Sequence, residues 1–162
     1  MKNIMTNVKT YFRNENTTDV WLTPPNIVES LGQFTLDPCS PVNAPWRLTP
    51  LFYTVEHDGL KQPWVGRCFV NPPYGRECSE YKNCIALVFA RVETKWFKDF
   101  VWNSANSVFF FHHRIAFYKQ DGSVGQSASA PSCLVSYDAE NTVAIEKSGL
   151  NGKLIRLKTD DQ

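Results

Sequence analysis

The chain is 162 residues long, 43% hydrophobic and 14% aromatic. That is the length of one domain, with enough apolar material for a core, and it excludes a disordered chain. A formal net charge of +1 excludes a global polycation, so any contact with nucleic acid must come from a local patch.

Residues 1–18 are polar and irregular and are expected to form a flexible arm, leaving residues 19–162 as a single domain. The segment MKNIMTNVKTYFRNEN has no continuous apolar run. It therefore reads as neither a signal peptide nor a membrane anchor, and the cytoplasm is the expected compartment. TPPNIVESLG predicts a capped helix: Thr23 can cap, proline suits the first turn, and Gly32 can end it. FTLD (34–37) predicts a short strand ending at Asp37-Pro38-Cys39. The proline-rich stretch 40–53 has no clear period and reads as a loop. VGRCFVN and CIALVFA (84–90) predict two buried strands. TKWFKDFVW spaces Phe97, Phe100 and Val101 as one helical face, with lysines opposite. SVFFFH (107–112) predicts a strand, and RIAFY extends it or pairs with it. DGSVGQSASAPS (121–132) reads as a flexible loop. CLVSY, TVAIE and KLIRL predict closing strands, the last two as a hairpin around SGLNG. Strands alternating with short helices point to α/β architecture: a compact Rossmann-like fold, mostly parallel, with an antiparallel end.

Cys39, Cys68, Cys78, Cys84 and Cys133 contain no CxxC pair, so neither a metal site nor a disulfide framework is expected. Cys78 and Cys84 flank a short connection and could approach each other, but reduced thiols are the expected state. The Phe109–Phe111 run and Trp46, Trp64, Trp96 and Trp102 read as packing residues. Residues 91–119 carry Arg91, Lys95, Lys98, Arg114 and Lys119 against Glu93 and Asp99, a modest basic patch.

One junction stands out. The strand at Cys68-Phe69-Val70 runs into Asn71-Pro72-Pro73-Tyr74, where two prolines cannot continue a sheet ladder. An amide and an aromatic ring are thus held at the carboxyl end of a strand, where open α/β sheets bind ligands. The chemistry that suits them is attack by the exocyclic amine of a nucleobase on an electrophile. A nucleobase amine is a poor nucleophile because its lone pair is delocalised into the ring. Two fixed acceptors, the Asn71 side-chain oxygen and the Pro72 carbonyl, would draw its hydrogens and free the lone pair. Tyr74 would stack on a base taken out of the duplex. Positioning and electrostatics supply the catalysis, without a strong general base.

Asn-Pro-Pro-Tyr resembles the catalytic motif of S-adenosylmethionine-dependent amino-methyltransferases. The wider sequence resembles the phage-type DNA N-6-adenine methyltransferase family, through DVWLTPPNIVESLG (19–32), FTLDPCS (34–40), EHDGLKQPWVGRCFVNPPYG (56–75), ALVFARVETKWF (86–97) and RIAF (114–117). The resemblance implies a class I methyltransferase fold with S-adenosylmethionine as cofactor. Its expected substrate is adenine in double-stranded DNA, flipped out and methylated at N6. It further implies a phage or prophage enzyme that protects DNA against host restriction. Asn71, Pro72, Pro73 and Tyr74 correspond to the catalytic turn. Trp21, Thr23 and Pro24 correspond to the segment covering the cofactor, and Asp37, Pro38 and Cys39 to the turn meeting its methionine part. Asp58 corresponds to the acid that accepts from its adenine amine. Arg91 and Thr94, with neighbouring Lys95, and Arg114 fall at the rim where the target or its phosphate is expected.

Two departures accompany the resemblance. Ser-Pro-Val-Asn follows Asp37-Pro38-Cys39 where methyltransferases usually have a glycine loop. Only GRECSEYKNC separates Tyr74 from Ile85, which permits a shortened helix of two turns at best. The same turn serves cytosine-N4, RNA and protein-glutamine methylation, and the short connection also suits a weak or inactive cofactor-binding or nucleic-acid-binding remnant. No substantial target-recognition insertion is visible, which implies loose specificity or recognition by an oligomer.

Overall fold

The computed structural model describes residues 20–71 and 75–158. The expected N-terminal arm and Pro72, Pro73 and Tyr74 lie outside them. A seven-stranded mixed sheet organises the chain. In chain order its strands are β1 (Leu36–Asp37), β2 (Leu51–Phe52), β3 (Cys68–Val70), β4 (Cys84–Phe89), β5 (Ser107–Phe111), β8 (Ser132–Ser136) and β9 (Gly152–Arg156). A separate hairpin pairs β6 (Ala116–Tyr118) with β7 (Val124–Ser127). Spatially the sheet runs β2-β1-β3-β4-β8-β5-β9. The first four strands are parallel, and the three pairings beyond β4 are antiparallel. The antiparallel portion is therefore half the sheet's pairings, larger than the antiparallel end expected of a mostly parallel sheet. It also follows that β5 points the same way as β1, β3 and β4.

Alternation along the strands divides the core between two faces. Cys68, Val70, Ala86, Val88, Val108 and Val135 face one side, where α3 (Lys95–Phe97) and the π-helical turn Lys98–Trp102 bury Phe97 and Val101. Phe69, Ile85, Leu87, Phe109 and Leu134 face the other, against α1 (Pro25–Ser30) and Ile145 of α4 (Ala139–Lys147). The expected helix over 94–102 thus forms with a π-helical second half. The Phe109–Phe111 run is split, Phe109 and Phe111 on the α1 side and Phe110 against the opposite cluster.

Four expectations are corrected. TVAIE is helical, inside α4, so no hairpin with KLIRL exists. Asp138 overrides the β-branched residues by capping the helix: its carboxylate accepts from the Asn141 backbone N–H at 2.7 Å and the Asn141 amide at 2.6 Å. Gly149, in the left-handed region at φ 73°, follows the helix end. The supposed flexible loop 121–132 contains β7. The proline-rich stretch ends in β2, a parallel edge strand that pairs Leu51 with Leu36. Finally, Cys78 and Cys84 are not separate thiols: they are joined as a disulfide, with Cα atoms 6.0 Å apart. It ties α2 (Gly75–Tyr81) to β4. The shortened helix is as expected, at seven residues.

Replacing Asp138 with Ala removes the cap and leaves the buried Asn141 amide without one of its acceptors. It should lower unfolding free energy by about 1–2 kcal/mol, read as a reduced urea midpoint at unchanged slope.

Candidate active site

Parallel pairing of β1 with β3, in register at Leu36 and Cys68, brings their carboxyl ends to one edge of the sheet. Asp37 closes β1, and Asn71 follows β3 directly. Between them lies a narrow, half-open cleft. Trp21, Thr23, Asp37, Cys39 and Asn71, all sequence candidates, line it together.

Asn71 is oriented by the chain segment before α1. Its amide Nδ2 donates to Thr23 Oγ1 at 2.8 Å, and Thr23 is only 3% exposed. That bond turns the carbonyl oxygen Oδ1 away from Thr23. Thr23 is held in turn because the preceding residue, Leu22, exchanges backbone hydrogen bonds with Tyr118 of β6, at 2.9 and 3.0 Å. Pro24 is buried and caps α1, its carbonyl accepting from the Ile27 N–H.

Asp37 is the electrostatic centre of the cleft. Its carboxylate accepts from the Cys39 N–H at 2.9 Å. Burial nonetheless dominates, and raises its pKa from 3.8 to about 6 against the opposing pull of the Cys39 and Ser40 hydrogen bonds and of Arg47. Burial likewise pushes the Cys39 thiol upward, and the Asp37 charge adds to it. Pro38 is buried under Gly59. A Cβ on Gly59 would stand 2.2 Å from the Pro38 carbonyl oxygen, so glycine is required for that close approach.

Asp58, beside Gly59, stays outside the cleft lining. Its carboxylate pairs with Lys61 at 2.8 Å, and its backbone adopts φ 51°. Arg91 and Thr94 follow β4, and Arg114 follows β5. Because those strands point the same way as β1 and β3, all three lie toward the same edge of the sheet. Thr94 has a local structural role: its hydroxyl donates to the Arg91 carbonyl at 2.8 Å and accepts from the Phe97 N–H at 3.2 Å, capping α3. Lys95 is ion-paired with Asp99, one helical turn on. Arg114 is exposed.

The sequence reading missed the other wall of the cleft: Ser40, Pro41, Ala44, Trp46 and Leu48. The signal was present, because this proline-rich loop begins directly after the Asp37 turn. Arg47 cross-links the loop. Its guanidinium donates to Ser40 Oγ and the Pro41 carbonyl, both at 2.7 Å, and to the Val42 carbonyl at 2.8 Å, and lies 3.9 Å from the centre of the Phe52 ring.

Residues 11–142 match the family model described as DNA N-6-adenine-methyltransferase (Dam). The chain belongs to this family. No curated protein and no solved structure matches it. The Dam match covers the cleft, both walls and the rim, and ends within α4. No helix among the described residues is long and apolar enough to cross a membrane.

The Asp37 carboxyl yields a pH prediction. Between about pH 4 and 6 the folded chain keeps a proton that the unfolded chain has released, so stability falls as pH rises through this window and levels off above it. Asp37→Asn has no charge to bury. It should exceed the wild type by up to about 3 kcal/mol at pH 7.5 and match it at pH 4, as read by chemical unfolding at both pH values.

Proposed function

We propose that this chain is an S-adenosylmethionine-dependent DNA adenine-N6 methyltransferase with a Rossmann-like class I methyltransferase fold. In this reading it acts on double-stranded DNA in a bacterial cytoplasm, is encoded by a phage or prophage, and protects DNA from restriction. The observation that carries the reading is the Asn71–Thr23 hydrogen bond in a cleft shared with the buried Asp37 carboxyl.

The donor set suits the cofactor. Asp37 is an acceptor for donors on its methionine part. Trp21 offers an aromatic surface, and Cys39 and Thr23 are small enough to let a ligand approach. Pro24 and Pro38 stiffen the backbone on either side. Asp58, one residue from the glycine packed on Pro38, is the acceptor for the adenine amine once it exchanges its Lys61 partner. When bound, S-adenosylmethionine supplies an electrophilic methyl group on its sulfonium.

The chain's own part is to hold the target amine. Asn71, anchored through Nδ2, presents Oδ1 to one amine hydrogen. The Pro72 carbonyl accepts the other, Pro73 stiffens the turn, and Tyr74 stacks on the flipped base. Drawing both hydrogens restores lone-pair character to the nitrogen and aims it. Arg91, Thr94, Lys95 and Arg114 form the DNA-facing rim, where Thr94 acts by shaping the turn and the cations by meeting phosphates.

The test is methyl transfer from labelled cofactor to unmethylated DNA, with nucleoside analysis. The wild type should make N6-methyladenine. Asn71→Ala should lower the rate on the order of a hundredfold or more, and Thr23→Val, which frees the amide to rotate, should lower it by less. An absence of N6-methyladenine from folded wild type, or full activity in Asn71→Ala, overturns the reading.

A further inference from the structure

We propose that Trp46 is a cofactor-positioning residue, an aromatic plate in the cleft against which the bound cofactor packs. The inference rests on reading the cleft as the cofactor site and adds a residue that the sequence treats as packing.

Trp46 is half-buried, and it lines the same cleft as Asp37 and Asn71. Its surroundings hold the ring in place. Tyr118 of β6 packs against it at right angles, with ring centres 5.2 Å apart and planes at 87°. The tip of the β6–β7 hairpin abuts its rim: a Cβ on Gly122 would lie 3.4 Å from Trp46 Cζ3 and equally close to Pro45 Cγ. Its own backbone belongs to the loop that Arg47 ties to Ser40, Pro41 and Val42. A ring fixed in this way loses little freedom when a flat ligand packs on it, and that pre-organisation favours binding.

The same hairpin fixes the cleft's other indole. A Cβ on Gly125 of β7 would lie 2.6 Å from Trp21 Cζ3 and 2.6 Å from the Phe117 carbonyl oxygen, so β7 approaches Trp21 as closely as glycine allows. Trp21 and Trp46 thus reach one cleft from two separate chain segments, each braced by one hairpin. This arrangement takes the place of a glycine loop. Where glycines would let a ligand approach the backbone, the Ser-Pro-Val-Asn segment presents a braced aromatic surface instead.

The test is calorimetric titration with S-adenosylhomocysteine, alongside steady-state methyl transfer. Trp46→Ala should weaken binding about tenfold or more, as expected for loss of one aromatic contact with the ligand. Trp46→Phe should stay within about threefold of wild type. In turnover, KM for the cofactor should rise in Trp46→Ala while kcat at saturation stays near wild type. Should Trp46→Ala fail to fold, Trp46→Leu, which keeps apolar bulk against Tyr118 without a π-face, is held to the same threshold. Unchanged affinity in a folded Trp46→Ala or Trp46→Leu overturns the role of Trp46 and leaves the cofactor site standing. No binding by the wild type overturns the cofactor reading and this inference with it.

Discussion

The site depends on the side-by-side parallel pairing of β1 and β3. These are very short strands, two and three residues, and alone they would be marginal. The rest of the sheet stabilises them. β3 is paired along its length with β4, β4 is paired over five positions with β8, and Phe69 is wholly buried among Phe34, Ile85 and neighbouring side chains. Once β1 is held against β3, a buried carboxyl and an anchored amide share one edge of the sheet. The segments that enter the cleft then have only to be pinned in place. Leu22 is pinned by Tyr118, and the 40–48 loop by Arg47 and the hairpin tip.

Much of this was legible in the sequence, for physical reasons that differ between elements. The strands at Cys68–Val70 and Cys84–Phe89 are continuous apolar runs because both faces of the sheet are covered. The prolines after Asn71 mark a strand end because they cannot donate to a ladder. The α4 segment was misread because Thr142, Val143 and Ile145 favour strands, while the signal that decides is a single cap at Asp138. The β6–β7 hairpin was missed because Gly122, Gly125 and the serines weaken strand propensity. They are tolerated because Gly125 must lie against Trp21 and Gly122 must turn the chain at φ 85°. Trp46 illustrates the same limit. Periodicity separates buried from exposed, but it does not show that an irregular loop folds back over a strand end.

Burial sets the electrostatic character of the site. Asp37 is held among Thr23, Cys39 and Ser40 with few opposing cations, so ionisation is resisted by desolvation. Ionising this buried carboxyl at neutral pH therefore works against the stability of the fold. The departures noted in the sequence have structural answers too. The connection between β3 and β4 contains a two-turn helix whose Cys78 is wholly buried and joined to β4. The missing glycine loop corresponds to a cross-linked proline-rich wall.

The central claim is that the cofactor occupies the cleft at the carboxyl ends of β1 and β3. Amide hydrogen exchange with and without S-adenosylhomocysteine tests this most directly. The account predicts slowed exchange in residues 20–24 and 36–48 and at Asn71, with α4 and β9 unchanged. Binding with no protection in residues 36–48, or with protection concentrated at the opposite edge around Asp138 and Asn141, would contradict it.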